Sequence, residues 1–105
     1  MTGIVSVYAT FANAEEAERI GRQLVEERLA ACVNILGGCR SIYRWQGKVE
    51  QAAEVAVLFK TTSGQATMLI RRIGELHSYD TPAAIVWPIA EAPESYRLWV
   101  VSNSG

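Results

Sequence analysis

Residues 41–60 read SIYRWQGKVEQAAEVAVLFK, and this stretch decides the predicted fold. A short turn that contains glycine, Trp45-Gln46-Gly47, separates two extended runs at residues 31–44 and 48–61. A turn of this kind between extended runs is typical of a β-hairpin. In the second run apolar and mixed positions alternate, so one strand face should lie in the core. That face carries Val55, Val57 and Phe59.

The predicted hairpin is longer than the domain that carries it. A compact domain of 105 residues has a diameter of roughly 33 Å, whereas a strand of about fourteen residues reaches about 46 Å. The tip carries the apolar side chains Ile42, Tyr43 and Trp45. A protruding apolar ribbon with open edges favours pairing with another chain, so we expect self-assembly. A bend at Gly37-Gly38 would shorten the hairpin and weaken this expectation.

A strand and a helix precede the hairpin. Residues 3–10 alternate with few charges, which predicts a central strand that is covered on both faces. Asn13, with Glu16 three residues later, forms a capping-box pattern at the start of a helix that should end near Leu29. The apolar stripe of this helix consists of Ala17, Ile20 and Leu24, with Gly21 and Val25 beside it.

A second helix and a strand follow the hairpin. Thr62 and Gln65 form another capping-box pattern, which predicts a helix that ends near His77. The apolar run at residues 83–87 predicts a strand, and Pro88 limits this strand to an edge or an end position.

The last predicted element is a short helix that begins at Pro93 and ends near Val100, after which the tail should fray. The resulting order is βαββαβ plus a C-terminal helix. Two βαβ halves of this kind predict an α+β, ferredoxin-like sheet with both main helices on one face. The other face, which includes Leu58 and Tyr8, then needs a partner. Because no linker or repeat interrupts the chain, residues 1–105 should form a single domain.

Charge and cysteine content exclude several classes of protein. Ten Lys and Arg against eleven Asp and Glu give a formal net charge of −1, which disfavours a nucleic-acid partner. Residues 1–8 have neither a basic flank nor a long apolar run, so we expect no membrane span and a cytoplasmic location. Cys32 and Cys39 would lie roughly 23 Å apart on one strand. We therefore expect each to be a small buried apolar side chain.

No catalytic centre is evident in the sequence. The single histidine, His77, has no adjacent Ser or Cys nucleophile, and Cys32 on a strand has no evident reason for a depressed pKa. Gly37-Gly38 lacks the lysine and the following helix of a P-loop. We therefore predict a protein that is not an enzyme, since a catalytic assembly would have to be completed by another chain.

Four segments, in this order and spacing, form a specific pattern that spans nearly the whole chain. They are LAACVNI at 29–35, SIYRWQGK at 41–48, KTT at 60–62 and LHSYDTP at 76–82, with Tyr96 and Trp99 fitting near the end. The pattern resembles the CutA divalent-cation tolerance family. This resemblance implies a ferredoxin-like homotrimer whose hairpins pair between subunits, similar to the nitrogen-regulatory signalling trimers. It also implies a role in tolerance of copper and other divalent metals.

The resemblance also implies a metal ligand, with two departures. Some family members bind copper through a cysteine near the end of the first strand and a pair of histidines. Ala9 and Leu76 fill the cysteine and first histidine positions here, so only His77 remains. One imidazole holds Cu(II) or another divalent cation weakly, and no cofactor is required. The alternative interpretation of His77 is a polar cap or a partly buried residue at a helix end, with Asp80 as the nearest oxygen donor.

The resemblance places Trp45, Glu54, Lys60 and Tyr79 around a cleft between subunits. The functional interpretation is a site for a small anionic or amphipathic ligand, with Lys60 as the charge and the aromatic residues as walls. The structural interpretation is an ion pair and packed aromatic rings that hold the trimer together. Glu54 and Lys60 lie about 20 Å apart on their strand, so they cannot pair within one chain.

Three functions remain open from the sequence. The first is a cytoplasmic metal-tolerance protein that acts as a metal-binding or ligand-sensing signalling trimer. The second is an interaction scaffold in which assembly is itself the function and metal binding is incidental. The third is an enzyme whose site is completed between chains.

Overall fold

The computed structural model describes all of residues 1–105 and contains four strands and three helices. The elements are β1 Ile4–Phe11, α1 Ala14–Glu26, β2 Cys32–Trp45, β3 Lys48–Thr62, α2 Ala66–Leu76, β4 Ala84–Pro88 and α3 Glu94–Ser102. This order confirms the predicted βαββαβ arrangement with a short C-terminal helix. None of the three helices has the length and apolar composition that a membrane crossing requires.

The four strands form one antiparallel sheet in the order β2-β3-β1-β4. β1 lies between β3 and β4, which confirms that the first strand is central. β4 is a short edge strand that pairs only with β1 and ends at Pro88. An edge position suits this residue, because proline has no N–H to donate to a ladder. The fold is therefore the predicted ferredoxin-like one.

The main core lies between one sheet face and the helices α1 and α2. The apolar stripe of α1 and the alternating apolar residues of β1 and β3 meet there, which confirms the predicted inward positions. Burial of each large apolar side chain contributes about 1.5–3 kcal/mol. The fully buried large residues of this core are Val7, Phe11, Ile20, Leu24, Val57, Phe59, Leu69 and Ile73.

The opposite sheet face is covered only in part. α3 packs there through Val100 against Ile4 and Ala31. Tyr8 stacks on Trp87 with the ring centres 5.2 Å apart, and the indole of Trp87 stays exposed. The prediction that one face retains uncovered apolar surface is confirmed for this chain. We use the name open face for the sheet face that carries Tyr8 and Trp87 and for the continuation of this face along the hairpin.

The hairpin closes through a tight turn at its tip. Trp45 pairs with Lys48, and the two intervening residues, Gln46 and Gly47, have φ angles of +49° and +79°. Two consecutive residues in the left-handed region are typical of a type I′ turn, whose twist matches the twist of the strands. The molecule measures 45 × 25 × 22 Å, which confirms that the hairpin makes it much longer than a compact sphere.

A β-bulge interrupts the hairpin without ending it. Ile35 pairs with Val57 and Gly37 pairs with Ala56, so Leu36 is the extra residue on β2. Gly37 has a φ angle of +105°, a conformation that is open to glycine and strained for other residues. Because pairing resumes directly afterwards, the bulge bends the ribbon but does not shorten it in the way that a break at Gly37-Gly38 would.

The predicted end of the first helix is wrong by about three residues. α1 ends at Glu26 rather than near Leu29, because Arg28 adopts a left-handed φ of +62°. The N–H of Leu29 returns to the carbonyl of Leu24 at 3.1 Å and satisfies one of the last helical acceptors. The chain thereby turns into β2.

The predicted Thr62 cap is also wrong. Thr62 is the last residue of β3 and pairs with Ile4, so the sheet ladder retains it. α2 begins at Ala66 after Gln65, whose side chain makes no capping hydrogen bond. A backbone bond from the N–H of Gln65 to the carbonyl of Thr62, 3.1 Å long, forms the turn instead.

The expectation of a frayed tail is wrong as well. The buried Ser104 hydroxyl donates to the carbonyl of Val100 at 2.7 Å. The Arg28 guanidinium donates to the carbonyls of Ser102 and Gly105, each at 2.8 Å. The left-handed turn after α1 therefore places a cation against the end of α3, where it satisfies free carbonyl groups.

The cysteines are less buried than expected. Cys32 and Cys39 are both free and half-buried, and their register opposite Lys60 and Glu54 places them on the open face. The expectation of two fully buried cysteines is therefore wrong for this chain.

Candidate functional site

The His77 side chain lies at the end of α2 and is only 8% exposed. Its Nε2 lies 2.7 Å from the carbonyl oxygen of Thr10, and its Nδ1 lies 3.0 Å from the backbone N–H of Tyr79. A carbonyl oxygen only accepts and a backbone N–H only donates, so Nε2 carries the proton and Nδ1 offers its lone pair. The ring stacks on Phe11 with centres 4.7 Å apart. Both nitrogens of this neutral imidazole are thus already used.

The carboxylate of Glu16 holds the same loop from α1. This residue is 5% exposed, and its Oε1 and Oε2 accept the backbone N–H groups of Ala12 and Ser78, each at 3.2 Å. Burial alone would raise the pKa of the Glu16 carboxyl, but the hydrogen bonds from Ser78 and Ala12 outweigh it and leave the pKa below its usual value. Asn13 accepts the N–H of Glu16 at 2.8 Å, which confirms the predicted cap.

Tyr79 connects this loop to the hairpin. Its hydroxyl donates to Oε2 of Glu54 at 2.9 Å, and its ring lies 4.7 Å from that of His77. Burial and the bond to the Glu54 carboxylate raise the pKa of Tyr79 to about 12. The Tyr79 side chain is still 36% exposed. Two of the four residues predicted for a ligand site, Glu54 and Tyr79, therefore meet within one chain.

The other two predicted ligand residues lie elsewhere on the open face. The ammonium group of Lys60 donates to Oδ1 of Asn34, 2.5 Å away on the neighbouring strand. Trp45 is 54% exposed at the hairpin tip and shares the face of Glu54 and Lys60 by its register opposite Lys48. Steps of six residues along β3 separate these positions, or about 20 Å each. One chain does not bring all four together.

A metal centre does not form within one chain. No three side chains of His, Cys, Asp or Glu converge at distances suited to one cation. Ala9 is fully buried in the core and Leu76 packs against this core, so the two positions at which the resemblance implied metal donors supply none here. With both nitrogens of His77 in hydrogen bonds, the donors of a single chain do not fit a divalent metal.

Two hydrogen bonds of this arrangement were not predicted from the sequence: the bond from Lys60 to Asn34 and the bond from Ser78 to Glu16. Asn34 could not be found from alternation, because it lies opposite Leu58, on the face of Lys60, only after the bulge at Leu36 has shifted the register of β2. The bond from Ser78 to Glu16 could not be found from pattern, since it joins residues 62 positions apart. The capping signal identified Glu16 only as part of a helix start.

The fold and this arrangement together define a class of protein. A ferredoxin-like domain carries a projecting apolar hairpin, an uncovered aromatic surface and a fixed polar loop at the sheet edge. The only histidine contacts backbone groups and aromatic rings rather than a nucleophile. These features define a small ferredoxin-like domain with exposed apolar surface on its hairpin and on one sheet face.

The chain belongs to the CutA1 divalent ion tolerance protein family, whose model matches residues 5–103. The divalent-cation tolerance protein CutA of Thermus thermophilus is 46% identical over 99 residues, which cover 94% of this chain and 96% of that protein. The family is thus one of tolerance to divalent cations, as the resemblance implied. The names of these matches do not describe an enzyme.

Solved structures agree with this assignment. A structure of the Thermus thermophilus protein has a TM-score of 0.94 at 44% identity and covers 97% of this chain and 99% of its own. CutA1 from Oryza sativa has a TM-score of 0.94 at 34% identity, with coverage of 100% and 98%. The CutA of Archaeoglobus fulgidus, named as a periplasmic divalent cation tolerance protein, has a TM-score of 0.89 at 37% identity, with coverage of 92% and 94%.

Proposed function

We propose that this chain forms a cytoplasmic homotrimer that serves divalent-cation tolerance, copper included, by binding a metal or a small ligand rather than by catalysis. The observation that carries the proposal is the layout of the open face. Trp45, Glu54 and Lys60 share that face at intervals of about 20 Å. Of these three residues, Tyr79 forms a hydrogen bond only with Glu54. A site that uses all four residues requires side chains from more than one chain.

The apolar hairpin supports the assembly step. Ile42, Trp45 and Val49 are all exposed near the tip, and isolated chains rarely retain such a ribbon without a partner. Light scattering with size exclusion should give the mass of three chains of 11.5 kDa each. A single-chain mass at micromolar concentration would contradict the proposal.

A matched pair of variants tests whether the hairpin makes the contact. Trp45→Ser removes an exposed tip side chain, whereas Met68→Ser removes an equally exposed side chain from the outer surface of α2. We expect Trp45→Ser to weaken assembly on dilution and Met68→Ser to leave it unchanged. Equal behaviour of the two variants would remove the hairpin from the interface.

Copper binding at His77 is proposed as a weak interaction. A cation at Nδ1 has to displace the N–H of Tyr79, and no group of three donor side chains forms within one chain. Calorimetric titration of Cu(II) into the native protein and into His77→Gln tests this point, because glutamine can keep a donor and an acceptor in place. Equal affinity for both proteins would exclude His77 as a ligand.

The two free cysteines support a reducing compartment. Cys32 and Cys39 are free and half-buried, and proteins of reducing compartments commonly keep such thiols unpaired. Fractionation of cells that express the tagged chain should place it with cytosolic markers. Recovery in the periplasmic fraction would contradict this location.

The alternative function is an assembly scaffold with incidental metal binding. The observation in its favour is the absence of a metal donor set within one chain together with the double engagement of His77. The two functions differ in a growth assay on Cu(II) in a host that lacks its own homologue. Tolerance restored by the native chain but lost with Lys60→Ala, in a variant that still assembles, supports ligand binding. Tolerance that is also restored by Lys60→Ala, as long as this variant assembles, supports the scaffold.

A further inference from the structure

The bond between Glu16 and Ser78 is not needed for helix capping. Asn13 already caps α1 through the N–H of Glu16, and Oε1 of Glu16 accepts the N–H of Ala12 beside it. Oε2 instead accepts the N–H of Ser78, which comes from the loop after α2. A buried carboxylate is tolerated when hydrogen bonds replace its hydration, and here each oxygen has one backbone donor. Glu16 therefore acts as a bridge between two segments that are distant in sequence.

His77 holds the next residue of the same loop. Its Nδ1 accepts the N–H of Tyr79, while its Nε2–H anchors the ring to the carbonyl of Thr10. The successive N–H groups of Ser78 and Tyr79 are thus fixed by two buried side chains, one from α1 and one at the end of α2. With the backbone held in this way, the hydroxyl of Tyr79 donates to Glu54 and its ring packs against the imidazole of His77.

We propose that Glu16 is a positioning residue for the ligand site: its buried carboxylate, together with His77, presents the partly exposed Tyr79 phenol beside Glu54. This inference rests on the proposed function, because it assigns Tyr79 and Glu54 to that site. A ligand that meets a side chain already ordered avoids the entropic cost of ordering it, which corresponds to roughly threefold to tenfold in affinity. Glu16 touches no ligand in this scheme and acts only through the loop.

The first experiment compares two glutamates of the same helical turn. Glu16→Gln keeps the size of the side chain but turns an N–H₂ group toward one of the two backbone donors. Glu15→Gln changes a solvent-exposed residue whose carboxylate contacts only Arg19. Amide hydrogen exchange resolved by NMR should be at least about tenfold faster at Ser78 and Tyr79 in Glu16→Gln, and unchanged in Glu15→Gln. Unchanged exchange at these two amides, or equal acceleration along all of α1, would overturn the proposal.

A second variant removes the donor from the loop side and leaves α1 intact. Ser78→Pro lacks the N–H that Glu16 accepts, and the extended conformation of His77, with φ −71° and ψ 146°, suits a residue before proline. If the bridge is the relevant contact, the double variant should loosen Tyr79 no more than either single variant does. Additive effects of the two substitutions would refute the coupling.

A Cu(II) titration then separates the positioning role from the proposed function. Native protein and Glu16→Gln are compared as assembled proteins at one concentration, and we expect Glu16→Gln to bind Cu(II) about threefold to tenfold more weakly. A looser loop with unchanged Cu(II) affinity would overturn the role of Glu16 in the site. Native protein that binds no Cu(II) contradicts the copper part of the proposed function, whereas the exchange measurements still decide the positioning role.

Discussion

Replacement of His77 by alanine should destabilise the fold strongly, whatever its effect on metals. The substitution removes a ring that is 92% buried, as its 8% exposure implies, and that stacks on Phe11. It also leaves the buried carbonyl of Thr10 without its donor at 2.7 Å. An unsatisfied buried group costs about 1–3 kcal/mol, and loss of a buried ring adds a cavity term. We expect a total of about 2–4 kcal/mol.

The assay is urea-induced unfolding followed by tryptophan fluorescence, at one protein concentration because assembly makes stability depend on concentration. His77→Gln is the matched control, since its amide can still donate to Thr10 and accept from Tyr79. It should retain more than half of the stability that His77→Ala loses. A His77→Ala protein within about 0.5 kcal/mol of the native one would refute this account of the residue. Loss of copper tolerance in His77→Ala therefore does not by itself identify a metal ligand.

Three further predictions concern charge and backbone conformation. The pKa of Tyr79 is raised to about 12 from 10.0. The protonated Tyr79 hydroxyl therefore stabilises the fold fully below pH 10, and this stabilisation is lost as the pH rises toward 12. Tyr79→Phe should flatten the fall in the urea midpoint over this range. Hydrogen bonds from Arg72 hold the pKa of Glu27 at about 2 rather than 4.5. The ionised Glu27 carboxylate therefore stabilises the fold above pH 4.5, and this stabilisation declines as the pH falls toward 2. Glu27→Gln should remove that small dependence from acid unfolding curves, and an unchanged curve would contradict it. Gly47→Ala forces a side chain into a φ of +79° and should cost about 1–2 kcal/mol in urea unfolding, whereas an unchanged midpoint would refute strain at the turn.

The fold could be predicted because its signals are local and mutually consistent. Alternation in β3 and the stripe of α1 each identify one buried face, and the Gln46-Gly47 turn fixes the connection between β2 and β3. The errors lie where tertiary contacts decide the end of an element. Thr62 had a capping pattern, but pairing with Ile4 kept it in the sheet. The helix end at Glu26 depends on the left-handed turn at Arg28, a conformation that the periodicity of α1 does not encode.

The candidate site was less accessible to sequence reasoning. Alternation placed Glu54 and Lys60 on one face, which the sheet register confirms. The contact between Tyr79 and Glu54 joins residues 25 positions apart and depends on how the loop after α2 is held. That loop is fixed by buried groups, Glu16 and His77, whose sequence signals describe only helix ends. Long-range hydrogen bonds of this kind follow no periodicity in the sequence, so they cannot be predicted from a sequence pattern.

The geometry of His77 links metal binding to loop order. Its Nδ1 lone pair accepts the N–H of Tyr79, and the same lone pair is the one that a cation would need. A metal at Nδ1 and the present position of Tyr79 therefore exclude each other, and each must weaken the other by the same factor. Metal that binds at Nδ1 should therefore release the N–H of Tyr79, whereas metal that binds beside Tyr79 and Glu54 should leave this hydrogen bond intact. Imidazole ¹⁵N shifts of the single histidine, followed during a titration with diamagnetic Zn(II), distinguish the two sites, because only metal at Nδ1 shifts that nitrogen directly.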